Sequence, residues 1–210
     1  QRVTVDQLLT GMAVASGNDA AMAISQHISG NSRNFTHLMN HKARQLGMTR
    51  TVFKNPTGLP AAGQRTTARD MATLARAYLR SHPQAMRYHS LRSFRFNGRT
   101  LGATNTMLGI PGVDGLKTGW TVASGYNIIV TARRGKTRLL VVVMGGRSRA
   151  ARDMVAHSLI EAGFKAPASP QQVAANCKVS LLVSSGTRGE SSFVTMQDLS
   201  GQDQEPAIAM

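Results

Sequence analysis

The first segment that could do chemistry is Ser16-Gly17-Asn18, which lies between two stretches with helical periodicity. A hydroxyl and a carboxamide two residues apart on a tight turn can both point into a cleft. There the hydroxyl can relay a proton, and the amide can donate to a substrate carbonyl while accepting from a neighbour. The same three residues are also typical of an ordinary turn and helix cap, so the pattern alone leaves both interpretations open.

The second segment runs from Asp114 to Trp120 and contains Lys117, Thr118 and Gly119. The lysine and the threonine place an ammonium beside a hydroxyl, a pair that suits a carboxylate ligand. The glycine leaves room for a ligand backbone to approach, so a peptide could pair along this segment as an added strand. A solvated turn is the alternative interpretation.

Helices and strands on either side must position these two segments. Apolar residues recur at helical spacing behind capping residues, and this pattern predicts helices at 5–15, 20–29, 33–46, 68–82 and 148–162. Alternating or apolar runs predict an antiparallel sheet from 113–121, 125–132 and 137–144, with a separate hairpin around Asn97-Gly98. Helices first, strands next and a helix last indicate an α+β fold, in which the last helix covers one face of the sheet.

The chain of 210 residues is strongly basic, with 25 Lys and Arg, 10 Asp and Glu, and a formal net charge of +15. The excess is concentrated in residues 31–110, where Asp70 is the only carboxylate. Such a body suits a polyanionic partner, although solubility and compositional drift would explain the charge equally well.

With 41% hydrophobic residues the chain is too apolar for wholesale disorder. No apolar run reaches the roughly 20 residues of a membrane span.

The composition changes after Lys165, where Pro, Ser, Gln and Gly become frequent. We therefore predict a structured body over 1–166 and, over 167–210, a tail or an incomplete C-terminal module with strands at 179–183 and 193–196.

A single cysteine excludes an internal disulfide and a cysteine-based zinc site. His37 and His41 lie four residues apart on one predicted helix, but no carboxylate or cysteine completes a site with them. The sequence thus predicts no metal and no cofactor.

Together, the two chemical segments and the sequence around them resemble the D-alanyl-D-alanine carboxypeptidases, low-molecular-weight penicillin-binding proteins related to the serine β-lactamases. Two signatures of that family, Ser-x-Asn and Lys-Thr-Gly, match 16–18 and 117–119. The resemblance covers residues 5 to about 165 and includes shorter matching stretches at 8–12, 55–60, 66–72, 125–127 and 144–147. It implies the penicillin-binding-protein transpeptidase-like fold, with a helical lobe and an antiparallel sheet.

The resemblance also implies roles for matching residues. In this family a serine attacks the D-Ala-D-Ala bond of a peptidoglycan stem peptide and forms an acyl-enzyme, and β-lactams inhibit by the same route. Ser16 would pass a proton toward the leaving nitrogen, and Asn18 would hold the substrate. Lys117 would supply positive potential and lower the proton affinity of Ser16. Thr118 would bind the terminal carboxylate of the substrate.

Three further positions follow from the same resemblance. The backbone N–H of Trp120, next to Gly119, would form one arm of the oxyanion hole. Relatives often carry a small or polar side chain where this chain has Trp120. Arg152, and less closely Arg147, match arginines near the cleft after the last strand, where a guanidinium suits a carboxylate.

One signature of the family is not found in this sequence. A Ser-x-x-Lys motif is expected before Ser16, but no serine of this chain has a lysine three positions on. The segment 51–54 has a similar form, with threonine in place of serine, but it follows the second motif. We therefore expect an N-terminally incomplete fold, and we expect this chain alone to be inactive because the nucleophile and its lysine are missing.

The resemblance places the complete protein among exported enzymes of the periplasm or cell envelope. Its expected partners are peptidoglycan muropeptides that end in D-Ala-D-Ala, with β-lactams as inhibitors and no nucleic acid. Membrane or envelope association would depend on segments outside this chain. The rival hypothesis is a non-catalytic basic module that binds an acidic polymer or nucleic acid.

Overall fold

The computed structural model describes residues 2–165 and the backbone of 194–198. The helices are α1 (Val5–Ala15), α2 (Asn18–Ser29), α3 (Ser32–Gln45), α4 (Ala68–Ser81), the single turn α5 (Met86–His89) and α6 (Arg149–Lys165). The strands are β1 (Ser93–Phe96), β2 (Arg99–Gly102), β3 (Val113–Thr121), β4 (Gly125–Arg134), β5 (Thr137–Gly146) and β6 (Val194–Asp198). This order confirms the predicted α+β fold. The strand predicted at 179–183 lies outside the described residues.

Local signals in the sequence determine where several helices begin. The Thr4 hydroxyl accepts from the N–H of Gln7 at 3.1 Å, and the Gln7 side chain accepts from the N–H of Thr4 at 3.0 Å, so a capping box opens α1. Thr67 caps α4 by accepting from the N–H of Asp70 at 3.1 Å. Each cap satisfies backbone donors that the first helical turn leaves unpaired.

The helix ends agree with the predicted bounds to within one residue for α1, α3 and α4, whereas α2 and α6 differ by more. The second helix was predicted to begin behind Asp19, but α2 starts at Asn18 after an extended Gly17. The carbonyl oxygen of Gly17 already accepts the first helical bond, from the N–H of Ala21 at 3.1 Å, and the Asp19 carboxylate accepts from the N–H of the adjacent Ala20 inside the first turn. The last helix was predicted to stop before Gly163, but α6 continues to Lys165 because Gly163 is buried within it, and packing outweighs the low helix propensity of glycine.

The main sheet has the antiparallel order β3-β4-β5-β6 among the described strands, and the predicted pairing of the first three is confirmed. In the register of β3 and β4, Lys117 lies opposite Ile129 and Gly119 lies opposite Asn127. Since β3 is at the edge of this sheet, its outer backbone groups are available to pair with a ligand. At the opposite edge β6 pairs with β5 over five residues.

Helices pack on both faces of the sheet. On one face α6 packs on β4 and β5, which confirms the predicted cover; the buried residues there include Ile128, Val130, Val141, Leu159 and Ile160. On the other face α4 packs through Ala72, Ala75 and Leu79 against Leu116, Leu140 and Val142. Burial of each large apolar side chain contributes about 1.5–3 kcal/mol to stability. Packing on both faces therefore holds the sheet, including β3, in place.

The loop between α3 and α4 is anchored by Asp70, a carboxylate in the first turn of α4. Asp70, which is 5% exposed, accepts from the N–H of Arg50 at 3.0 Å and from the Thr51 hydroxyl at 2.6 Å. A single antiparallel bridge between Val52 and Arg65 closes the base of the loop. Within the part of the chain described, no helix has both the length and the apolar composition needed to cross a membrane.

Candidate active site

Ser16 occupies a left-handed conformation at the end of α1, with φ 56° and ψ 40°. The N–H of Gly17 bonds to the carbonyl oxygen of Gly11 at 3.1 Å and closes the helix end. Glycine is the usual residue in this conformation, and a residue with a Cβ costs on the order of 1 kcal/mol there. The backbone turn directs the Ser16 hydroxyl toward β3.

Lys117 reaches that hydroxyl from β3. Its ammonium donates one hydrogen bond to Ser16 Oγ and another to the carbonyl oxygen of Thr118 at 2.7 Å. An ammonium has three donors, so one remains for a ligand beyond these two bonds. Ser16 and Lys117 therefore meet, as the roles implied by the resemblance require.

Thr104 joins the two predicted segments and was missed by sequence reasoning. Its hydroxyl accepts from the Thr118 hydroxyl at 2.9 Å and lies 3.4 Å from Ser16 Oγ. Its backbone N–H donates to the carbonyl oxygen of Val14 at 2.9 Å and so fixes the segment to the end of α1. The result is a continuous polar chain from Lys117 through Ser16 and Thr104 to Thr118. No local sequence signal marks Thr104, because its role depends on two contacts that are distant in sequence.

Lys117 lies in surroundings that disfavour its charge. A cavity of about 130 Å³ lies beside it, lined otherwise by Leu9, Met12, Ala13, Tyr78, Tyr88 and His89. Burial among these residues lowers the pKa of Lys117 from its ordinary value of 10.5 to about 8. The ammonium is still the majority form at neutral pH, but it gives up its proton far more readily than a lysine on the surface.

His89 supports the strand next to Lys117 and is a second residue that sequence reasoning missed. One ring nitrogen, Nδ1, is 3.0 Å from the carbonyl oxygen of Leu116, and the other, Nε2, is 2.9 Å from the Tyr78 hydroxyl. Burial lowers the pKa of His89, which favours the neutral ring with Nδ1 as donor and Nε2 as acceptor. A neutral ring adds no positive charge to compete with Lys117.

The other predicted residues of the two segments lie at the rim. Asn18 is exposed in the first turn of α2. A Cβ added to Gly119 would meet no heavy atom within 4 Å, so the space beside this residue is open. The Trp120 side chain is 57% exposed, and its ring centroid lies 5.7 Å from that of Tyr126 on β4.

Arg152 is placed differently from the free cleft arginine that a substrate carboxylate would require. It is 2% exposed, and its guanidinium donates to Asp153 Oδ1 at 2.6 and 2.9 Å and to the carbonyl oxygen of Asn127 at 3.2 Å. Asp153 in turn accepts from the Thr106 hydroxyl at 2.5 Å. Arg152 is therefore buried next to β4 and already paired with the carboxylate of Asp153. Arg147 is exposed after β5.

The site thus has proton-relay and anion-binding groups on an open strand edge. A lysine ammonium, the hydroxyls of Ser16 and Thr118, and the outward N–H groups of β3, the edge strand among the described strands, can together bind a peptide that ends in a carboxylate. His37 and His41 are both exposed on α3. No three His, Cys, Asp or Glu side chains gather into a metal site among residues 2–165.

Comparison with known proteins identifies the family that the two motifs resemble. The profile of the D-alanyl-D-alanine carboxypeptidase family matches residues 1–148. D-alanyl-D-alanine carboxypeptidase DacD of Escherichia coli is 40% identical over 164 residues, which cover 77% of this chain and 42% of that protein. The chain spans about two-fifths of the length of such curated relatives.

Solved structures agree in fold. The crystal structure of penicillin binding protein 6B from Escherichia coli matches with a TM-score of 0.75 and 39% identity, over 79% of this chain and 53% of that one. Penicillin-binding protein D2 from Listeria monocytogenes, in an ampicillin-bound form, matches with a TM-score of 0.72 and 34% identity, over 77% of this chain and 68% of that one. The chain belongs to the D-alanyl-D-alanine carboxypeptidase family of penicillin-binding proteins.

Proposed function

We propose that this chain carries the second and third catalytic motifs of a serine-type D-Ala-D-Ala carboxypeptidase. The complete enzyme would remove the terminal D-alanine from peptidoglycan stem peptides through an acyl-enzyme. The observation that carries this proposal is the hydrogen bond from Lys117 to the Ser16 hydroxyl, which unites the two motifs in one cleft. Since the chain spans about two-fifths of its curated relatives, the activity is assigned to the complete protein.

The proposed reaction proceeds in two steps. A nucleophilic serine adds to the carbonyl carbon of the penultimate D-alanine, the C–N bond breaks, and the terminal D-alanine leaves with a proton on its nitrogen. Water then adds to the acyl-enzyme and restores the serine. Ser16 delivers the proton to the leaving nitrogen, and the adjacent Lys117 ammonium lowers the proton affinity of the Ser16 oxygen.

Other residues bind the substrate in this proposal. The Thr118 hydroxyl, positioned by its hydrogen bond to Thr104, binds the terminal carboxylate, and the positive charge of Lys117 stabilises that carboxylate. The N–H of Trp120 donates to the oxygen of the tetrahedral intermediate, beside the open space at Gly119. Asn18 contacts the substrate amide from the rim. Arg152 contributes positive potential from behind β4 and does not contact the substrate while Asp153 holds it.

The nucleophile would come from a segment outside the 210 residues. The cavity beside Lys117 supports this part of the proposal, because it opens between the apolar side of α1 and the lysine that a nucleophilic serine must approach. We propose that a Ser-x-x-Lys segment of the complete protein packs there. The 210-residue chain alone would then form no acyl-enzyme, since loss of the nucleophile reduces turnover on the order of a million-fold.

The proposed substrate determines where the complete protein works. Peptidoglycan stem peptides are processed outside the cytoplasmic membrane, so we assign the enzyme to the periplasm or cell envelope. β-Lactams would act as inhibitors by acylating the same serine.

Labelling with a fluorescent penicillin tests the proposal. We expect the complete protein to be labelled on one serine of a Ser-x-x-Lys segment, and the 210-residue chain to remain unlabelled. Ser16→Ala should slow labelling of the complete protein by about 100-fold or more, as expected for a lost proton relay. Ser90→Ala, at an exposed serine after α5, is the matched control and should label at the wild-type rate. Stoichiometric labelling of the 210-residue chain would refute the assignment of the nucleophile.

A second candidate function is supported by charge. Thirteen Lys and Arg residues lie in 31–110, and all of them except Arg76 are exposed. The one carboxylate of this region, Asp70, is buried and accepts hydrogen bonds from Arg50 and Thr51. This surface could hold an acidic polymer. Binding of polyphosphate that weakens in Arg44→Glu/Arg50→Glu, but not in Arg133→Glu/Lys136→Glu at the β4–β5 turn, would support it. Equal weakening in both variants would indicate net charge alone.

A further inference from the structure

The single-turn helix α5 packs directly on β3 beside the candidate site. A Cβ added to Gly115 would lie 2.9 Å from Met86 Cε and 3.3 Å from His89 Cβ, so the strand and α5 are in close contact. His89 Nδ1 is 3.0 Å from the carbonyl oxygen of Leu116, the residue immediately before Lys117. This bond therefore holds β3 at the point from which the Lys117 side chain extends.

A second partner fixes the orientation of the His89 ring. Its Nε2 is 2.9 Å from the hydroxyl of Tyr78 on α4, and the two rings meet edge to face, with centroids 5.6 Å apart and an angle of 87° between their planes. Both ring nitrogens are thus engaged, one by β3 and the other by α4. His89 thereby joins α4 and α5 to the strand that carries Lys117.

A charge on the His89 ring would face the ammonium of Lys117. Among the described residues that line the cavity beside His89, Lys117 alone is charged while the ring is neutral, because the hydroxyls of Tyr78 and Tyr88 keep their protons at neutral pH. From α1 the cavity receives only apolar side chains, those of Leu9, Met12 and Ala13. Burial and the Lys117 charge both lower the pKa of His89, against the opposite effect of the bond to Leu116.

The ionisable groups just outside the cavity do not offset such a charge. Asp6 on α1 accepts from the Tyr88 hydroxyl at 2.8 Å and from the Arg87 guanidinium at 3.2 Å, at the surface of the protein. His82, at the end of α4, is exposed, and its ring centroid lies 5.9 Å from that of Tyr78. Within residues 2–165, no carboxylate pairs with the His89 ring.

We propose that His89 is the positioning residue for Lys117, and that the site requires the His89 ring to be uncharged. This inference rests on the proposed function, in which Lys117 acts on Ser16. In the neutral ring Nδ1 donates to Leu116 and Nε2 accepts from Tyr78, so β3 is held without an added charge. Protonation at Nε2 would place two cations in apolar surroundings, and their repulsion would draw the Lys117 ammonium away from the Ser16 hydroxyl.

Penicillin labelling of the complete protein between about pH 4.5 and pH 8 tests the requirement. We expect the labelling rate of the wild type to fall in acid as His89 takes up its proton. The amide of His89→Asn can still donate to Leu116 but cannot become charged, so this variant should label at nearly the wild-type rate at pH 7.5. In acid it should keep about tenfold more of that rate than the wild type does. His89→Leu has no donor and should label about five- to tenfold more slowly at neutral pH.

His82→Asn is the matched control, since it removes an exposed histidine that contacts the same Tyr78 ring. Its pH profile should coincide with that of the wild type. An acid decline in His89→Asn equal to that of the wild type would overturn the proposal, and so would wild-type labelling of His89→Leu at neutral pH. Either result would leave the enzyme assignment intact, because labelling itself would still occur.

An NMR titration of the 210-residue protein tests the charge coupling without any reaction. We expect the neutral His89 ring to carry its proton on Nδ1 and its pKa to lie below the ordinary 6.5. In Lys117→Met the pKa of His89 should rise, because the opposing ammonium is gone, whereas the titration of His82 should not change. An unchanged His89 titration in Lys117→Met would refute the coupling. Absence of penicillin labelling in the complete protein would instead refute the proposed function, and the titration would still decide whether His89 and Lys117 are coupled.

Discussion

The Lys117 ammonium donates a hydrogen bond to the Ser16 hydroxyl across 101 positions of sequence. Both partners are held under unfavourable conditions, since Ser16 has a left-handed backbone and Lys117 has lost much of its hydration. The fold keeps them in place through the capped end of α1 and the two-sided packing of the sheet. Such arrangements, in which stability is given up at a small group of polar residues, are characteristic of active sites.

Substitutions at Ser16 should separate stability from chemistry. Glycine adopts the observed φ of 56° without strain, so Ser16→Gly should be more stable than Ser16→Ala by about 1 kcal/mol. Both variants lack the hydroxyl, so both should slow penicillin acylation of the complete protein to a similar extent. Urea denaturation and labelling kinetics measure the two effects. Equal stability of the two variants would show that the left-handed conformation is not imposed by the native fold.

Thr104 should act by positioning Ser16 and Thr118. Thr104→Val has nearly the same shape but cannot hydrogen-bond, so we expect KM for D-Ala-D-Ala peptides to rise about tenfold in the complete protein, as two bonds of about 1 kcal/mol each weaken. Thr104→Ser keeps the hydroxyl and should behave like the wild type. If the valine variant lost stability but kept its KM, the role of Thr104 would be confined to the fold.

The lowered pKa of Lys117 predicts how stability depends on pH. The folded protein releases this proton near pH 8, and the unfolded chain releases it near 10.5, so the unfolded state binds more protons between these values. The penalty for burying the ammonium is therefore full below pH 8 and disappears as pH rises toward 10.5. Relative to Lys117→Met, the wild type should gain on the order of 3 kcal/mol across this window. Urea midpoints at pH 7 to 10.5 for both proteins measure the difference, and parallel profiles would contradict the buried charge.

The pair formed by Arg152 and Asp153 should be coupled. Arg152 has a side chain that is 3% exposed, so Asp153→Ala would leave a buried guanidinium without its carboxylate and should destabilise the protein by about 3 kcal/mol. Replacing both residues, as Arg152→Met/Asp153→Ala, should recover part of this loss. A double-mutant cycle of unfolding free energies gives the coupling. Additive effects would mean that the pair has little net interaction.

Local patterns were sufficient for most of the secondary structure. The capping residues Thr4 and Thr67, and the apolar runs that became β4 and β5, are short-range signals that specify helix starts and strands directly. The errors at Asn18 and Gly163 arose where a neighbouring side chain or tertiary packing overrode the local preference.

The sequence by itself determined the types of the chemical groups and their order along the chain, because Ser16, Asn18 and the Lys117-Thr118-Gly119 run are readable as residues. Only the tertiary structure decided how these groups meet. Thr104 bridges them and His89 supports β3 through contacts between segments far apart in sequence, and Arg152 is occupied by Asp153. Hydrogen bonds and burial act over a few ångströms in space, so they depend on which segments the packed sheet and helices bring together.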